Sequence, residues 1–202
     1  MKKKIVAFDV DGVLAKFEQK LVDVLVGEFG KMGGINRFFF SLEDRFKNHP
    51  DVLKKALQYV ADPNFYYSIP RDDGACDFVA DLMEDGWGVM YVTSRPRSHE
   101  TFTRRWLQKN TNKYEKSYGL FCGISNKSEF LKDVDVEFLV EDNPEEIIRC
   151  KNSKIPVMCW AQQWNDHLFP RLYTDKEGVL MLWIDEESDA TPFWSLVKEY
   201  DA

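Results

Sequence analysis

The chain has 202 residues, enough for one domain with a substantial insertion or for two small ones. With 44% hydrophobic, 14% aromatic and 30% charged residues it has the composition of a globular protein that buries a core, which excludes disordered, collagen-like and membrane-spanning classes. The net charge of -7 argues against long nucleic acid held by a basic surface, although a local basic patch is compatible with it.

Met1-Lys2-Lys3-Lys4 is a basic start, but the apolar run behind it, Ile5 to Phe8, is cut by Asp9 and Asp11 and is too short for a signal peptide. The expectation is a cytoplasmic protein. Lys4–Asp9 reads as the first buried strand. From Lys16 to Ile69 two helix-like segments, Phe17–Phe29 and about Pro50–Ala61, flank a Gly- and Phe-rich middle, Gly30–Phe40, with no strand between them. This predicts a small helical insertion over 16–69, set into a core made of 1–15 and 70–202. The commoner role of Phe38-Phe39-Phe40 is a hydrophobic core for that insertion; the alternative is an aromatic wall facing a ligand.

After the insertion, strands and helices alternate. Ala75, Phe78, Val79, Leu82 and Met83 share one face of a helix over Ala75–Glu84, with Gly86 placed to end it. Strands are expected at Gly88–Thr93, Tyr118–Gly123, Val136–Val140, Pro156–Trp160 and Val179–Ile184. Helices are expected at Ser98–Lys109, Lys127–Val134, Pro144–Lys151 and Pro192–Tyr200, the two prolines suiting first-turn positions. The fold class that follows is α/β, a three-layer sandwich around a central parallel sheet with right-handed crossovers. Cys76, Cys122, Cys150 and Cys159 form no C-x-x-C pair and read as free buried thiols.

In an open α/β sheet, ligands bind outside the carboxyl ends of the strands. Strand one ends in Asp9-Val10-Asp11-Gly12, and spacing of two along an extended chain aims both carboxylates the same way. Such a pair repels itself unless a cation or a shared proton intervenes, and a hard ion such as Mg²⁺ suits it. A calcium loop counted from Asp9 fails, with Leu14 at the required Gly and Lys20 at the closing Glu. Strand two ends in Thr93-Ser94-Arg95-Pro96, whose hydroxyls and N–H groups could cradle a phosphate. Lys127 follows strand three, and strand four runs into Glu141-Asp142-Asn143-Pro144. Taken singly, these are ordinary caps, surface charges and helix-dipole partners.

Their joint order, each feature just past a strand, resembles the haloacid dehalogenase-like (HAD) phosphohydrolase superfamily over Lys4–Leu14 and Asp72–Trp160, with DVDGVL the most specific piece. The resemblance implies that Asp9 is the nucleophile, forming an aspartyl-phosphate, and Asp11 the general acid and base. It implies that Thr93 and Ser94 bind phosphate together with Lys127, and that Asp9, Asp11 (through its backbone region), Glu141 and Asp142 hold Mg²⁺. Glu141 departs from the commoner Asp-Asp pair, leaving open which acid is the direct ligand.

The insertion, together with Phe65-Tyr66-Tyr67-Ser68-Ile69-Pro70 leading to Gly74-Ala75, is similar to the 5'(3')-deoxyribonucleotidase family, except that Arg71-Asp72-Asp73 intervenes. Ala161–His167 is a weaker likeness to a late Asn-containing segment. The implied substrate is a nucleoside monophosphate, with Phe38, Phe40, Phe65, Tyr66 and Arg95 as pocket candidates; stacking a base on an aromatic ring contributes about 1–3 kcal/mol. A homodimer stays open as the assembly. The nearest rival is a polynucleotide 3'-phosphatase, for which Arg95, Arg97, Arg104, Arg105 and Lys109 supply a basic stretch. Other small-metabolite phosphatases of the superfamily also remain open. A DxD glycosyltransferase leaves Lys127 and Glu141-Asp142 unexplained, and a non-catalytic binding module requires a broken catalytic set.

Overall fold

The computed structural model describes residues 4–30, 39–111 and 114–165, and the backbone of Trp183–Ile184. The fold is α/β as expected: six parallel strands, β1 (Ile5–Phe8), β2 (Gly88–Thr93), β3 (Leu120–Cys122), β4 (Phe138–Glu141), β5 (Val157–Trp160) and β6 (Trp183–Ile184), lie in the order β3-β2-β1-β4-β5-β6. The order reverses between β1 and β4, and such a reversal opens a crevice at the carboxyl ends of the strands. Phe8 is level with both Tyr91 and Val140, so the residues following β1, β2 and β4 emerge together along one edge.

Alternation along the strands explains the two cores. Val6, Phe8, Val89 and Tyr91 face a cluster with Phe78, Val79 and Leu82 of α5 (Asp73–Glu84) and Trp106 and Leu107 of α6 (Glu100–Asn110). Ala7, Met90, Val92 and Leu139 face a second cluster with Leu131 of α7 (Lys127–Leu131) and Ile147 and Cys150 of α8 (Pro144–Asn152). Helices thus cover both faces, giving the three layers. All four cysteines are buried and free.

Between β1 and α5 the chain runs through α1 (Phe17–Phe29), α2 (Leu42–Arg45), α3 (Pro50–Ala61) and α4 (Pro63–Tyr67), with no strand among the described residues. α1 and α3 have the bounds read from their periodicity. α2 and α4 are one-turn helices too short to show a period, and local caps form them: Ser41 accepts from Asp44 N, and Asp62 accepts from Asn64 N ahead of Pro63. The two connections to the sheet run side by side, with Lys16 N–H donating to Pro70 O at 2.9 Å and Asp72 N–H to Leu14 O at 2.7 Å.

Several boundaries differ from the sequence expectation for local reasons. The helix expected from Ser98 begins with a 3-10 turn, Arg97–His99, and the one expected to reach Val134 ends at Leu131, followed by a turn closed by Val134 N–H to Leu131 O. Gly86 takes φ +88 just past α5, the left-handed position foreseen for it. Of the strand expected at Val179–Ile184 only Trp183–Ile184 falls within the described residues, and the helix at Pro192–Tyr200 lies outside them. Among the described residues no helix is long and apolar enough to cross a membrane.

The expected Phe core of the insertion is corrected. Phe39 and Phe40 are exposed, whereas Phe46 is fully buried in their stead; Phe38 lies outside the described residues. A run of three consecutive residues cannot point one way, so the core draws on residues spaced along α1 and α3: Leu21, Leu25, Val52 and Ala56.

Candidate active site

Asp9 follows β1 while still in its ladder, donating its N–H to Val140 O at 2.9 Å, and is 5% exposed. Asn126 caps α7 and sets Lys127 in its first turn. From there Lys127 Nζ reaches Asp9 Oδ1 at 2.6 Å and Glu141 Oε2 at 2.5 Å, all three side chains being buried. Glu141 ends β4, and its Oε1 accepts the N–H groups of Asp142 and Asn143 at 3.0 Å each. Both oxygens of Glu141 therefore have protein partners.

Asp142 differs. Its Oδ2 accepts the indole N–H of Trp164 at 3.1 Å, while its buried Oδ1 has no hydrogen-bond partner among the described residues. One oxygen each from Asp9, Glu141 and Asp142 lies within 4.8 Å of the others. A hard cation fits this donor set, because it would satisfy the orphaned Oδ1 and relieve the crowding of three carboxylates.

The electrostatics point the same way. Burial pushes the Asp9 carboxyl up to about 7, with Lys127 pulling it down and the charges of Glu141 and Asp11 adding to the rise. Burial, then Glu141 and Asp9, hold Asp142 well above the usual carboxylate range. For Lys127, burial opposes the charge, but Asp9 and Glu141 outweigh it and the pKa rises. Lys127 is thus a permanent cation facing acids that resist ionising together.

Gly12 has φ +84, and a Cβ there would collide with Asp142 Oδ2. Only glycine lets the turn after Asp11 lie against Asp142. Thr93, at the end of β2, is buried, its Oγ1 accepting from Arg95 N–H at 3.2 Å, and Ser94 is exposed beside it.

The Asp11 carboxylate lies outside the acidic trio; Arg95 holds it, with Nε to Oδ2 at 2.8 Å and Nη2 to Oδ1 at 2.6 Å. Arg95 is itself only 2% exposed, over the Tyr66 ring at 4.6 Å and bonded to Thr103. The expectation of Arg95 as a pocket residue is therefore corrected: a guanidinium fork matches a carboxylate bidentately, and burial favours that neutralised pair. Phe65 and Tyr66 are buried too, packed on Phe17, so they support the floor of the insertion instead of standing free in a pocket.

A cavity of about 420 Å³ opens beside Gly12, with Phe17 and Trp164 as its aromatic walls and Lys16, Asp23 and Gln162 among its polar ones. Gln162, Trp164 and Asn165 follow β5 as the acidic residues follow β1 and β4, and that position past a strand end is the sequence signal for them.

Comparison with known proteins agrees with this geometry. Residues 3–177 match the family described as 5' nucleotidase, deoxy (pyrimidine), cytosolic type C protein. A protein of Oceanobacillus iheyensis named putative nucleotidase is 22% identical over 173 residues, covering 82% of this chain and 92% of that one. In fold, the chain is similar to a haloacid dehalogenase-like hydrolase of Streptococcus pneumoniae (TM-score 0.64, 11% identity, 98% of each chain). It is likewise similar to a predicted phosphatase of Clostridium acetobutylicum (TM-score 0.62, 12% identity, 98% of this chain and 100% of the other). A match that spans β1, α7 and the Glu141-Asp142 pair places the chain in the family described as 5' nucleotidase, deoxy (pyrimidine), cytosolic type C.

Proposed function

We propose that this phosphatase is a Mg²⁺-dependent 5'-nucleotidase that releases phosphate from (deoxy)nucleoside monophosphates through an aspartyl-phosphate. The carrying observation is the buried Asp9, which is bound by Lys127 at 2.6 Å and placed in the acidic trio. Asp9 attacks phosphorus, and Lys127 stabilises the charge gathering on the phosphoryl oxygens. Thr93 and the Ser94 backbone N–H orient those oxygens. Asp11 delivers a proton to the leaving oxygen and later takes one from water, while Arg95 orients its carboxylate.

Asp9 and Asp142 would be the metal's carboxylate ligands, since both oxygens of Glu141 are already engaged. Glu141 would instead position Lys127. Bound there, Mg²⁺ would screen the approach of an anionic phosphate to an anionic nucleophile.

The nucleotide class is supported by the family match, and the half-buried cavity wall Phe17 offers a ring for a base. The test is phosphate release with Mg²⁺ across 5'- and 3'-mononucleotides, 3'-phosphorylated oligonucleotides and sugar phosphates. Mononucleotides are expected to show the highest kcat/KM; equal values for sugar phosphates would overturn the base-stacking reading, and preference for oligonucleotide ends would select the polynucleotide phosphatase.

Metal removal gives a second expected outcome. Asp9 has a raised folded-state pKa of about 7 against an ordinary 3.8, so the stability it contributes is present below about pH 4 and lost as pH rises through 7. In EDTA the melting temperature should fall from pH 5 to pH 8, and Mg²⁺ should raise it more at pH 8, where it binds ionised carboxylates. An equal Mg²⁺ effect at both pH values would contradict this reading.

A further inference from the structure

Asp142 is held from behind by a turn that also touches the helical insertion. Asn165 is fully buried and closes the turn, its Oδ1 accepting Gln162 N–H at 2.9 Å and its Nδ2 donating to Trp160 O and Asp142 O at 2.8 Å each. Gln162 Nε2 donates to Gly12 O at 2.8 Å, tying the turn to the loop after Asp11. Trp164, 5% exposed, directs its indole N–H at Asp142 Oδ2 and carbonyl O, at 3.1 and 3.2 Å. An indole N–H only donates. It therefore occupies Oδ2 and leaves Oδ1 as the buried acceptor without a partner among the described residues.

The same indole is contacted by the insertion. Phe40 meets it edge-to-face at 6.3 Å, and the Arg45 guanidinium lies over it at 5.3 Å. Arg45 is in turn anchored by an ion pair to Glu18 at 3.0 Å and by two hydrogen bonds to Phe39 O, at 2.7 and 3.1 Å. Phe40 is 44% exposed, so its contact with Trp164 is the edge of a docked segment and not part of a core.

We propose that Trp164 is a positioning residue that presents Asp142 to the metal, and that the docking of segment 39–45 on Trp164 tunes metal affinity. The proposal rests on the metal-site reading given above. Groups that hydrogen-bond a ligating carboxylate fix its orientation and basicity, and their loss weakens metal binding by roughly 10–100-fold. Linkage is reciprocal: if docking strengthens metal binding, metal binding strengthens docking.

The test uses Mn²⁺ alone, titrated calorimetrically into the metal-free chain at fixed pH. Trp164→Phe, which keeps a packing ring and deletes the donor, is expected to weaken binding by about 10–100-fold; Phe40→Ala is expected to fall between it and wild type. Asp142→Asn serves as the control for the metal site itself. If Asp142→Asn loses Mn²⁺ while Trp164→Phe binds as wild type, the proposal is overturned and the metal site stands; if Asp142→Asn binds as wild type, the metal-site reading fails. An unchanged Phe40→Ala overturns the link to the insertion. The reciprocal measurement needs no variant: Mg²⁺ should slow backbone hydrogen exchange over 39–46 in the wild-type chain, and unaltered exchange there overturns the link even if Trp164→Phe does not fold.

Discussion

Asp9→Asn is expected to reduce phosphate release by on the order of 10³-fold or more while the chain stays folded. The amide matches the carboxylate in shape and retains an oxygen that can accept from Lys127 Nζ, so the contact at 2.6 Å survives in altered form. What is lost is the proposed anionic nucleophile: Glu141 is occupied by Lys127 and two backbone N–H groups, Asp11 is held by Arg95, and Asp142 is the carboxylate assigned to the metal in the same proposal. Removing a carboxylate that resists ionisation also eases the repulsion within the trio, so the metal-free variant should melt no lower than wild type. Steady-state phosphate assays and thermal melts on one preparation check both halves. Retained turnover would remove Asp9 from the nucleophile role, and a collapsed fold would make it structural.

Lys127→Met has the second large effect, acting on stability and turnover together. Lys127 is 5% exposed and is the cation shared by Asp9 and Glu141. Deleting one partner of a buried ion pair leaves its counter-charges uncompensated and typically costs about 3–5 kcal/mol. The loss should be largest near pH 8 and smaller near pH 5, where Asp9 takes up a proton and one uncompensated charge disappears. Denaturant melts at the two pH values measure this. A pH-independent loss would mean that the lysine acts through packing of its stem. Turnover should fall with it even where the variant is folded, because the charge that steadies the transferring phosphoryl group is gone.

The two variants separate what sequence made visible from what it did not. Asp9, Thr93, Lys127 and the Glu141-Asp142 pair are legible as candidates because each lies at or past the carboxyl end of a strand, and parallel strands carry these ends to one edge. Distances of 2.6 and 2.5 Å from Lys127 to residues 118 positions and 14 positions away were not legible, although the ordering that permits them was. The orientation of Arg95 is not legible for a related reason. Its place beside Ser94 says that it reaches the edge, but whether it faces solvent or turns under Asp11 depends on Tyr66 and Trp106, which arrive from other elements. An indole carries no catalytic signature in sequence; what distinguishes Trp164 is where its N–H points.

By itself the sequence determined the α/β alternation, the helical insertion and the class of chemistry, because hydrophobic periodicity and residues spaced about a strand end are local properties of the chain. Only the tertiary structure decided the division of labour among the acids: Glu141 bound to Lys127 and backbone, Asp142 with one oxygen unpartnered among the described residues, and Asp11 clamped by Arg95. Hydrogen-bond capacity is consumed by whichever partners packing brings within about 3 Å. Those partners come from distant segments, and in chain order the competing carboxylates are indistinguishable.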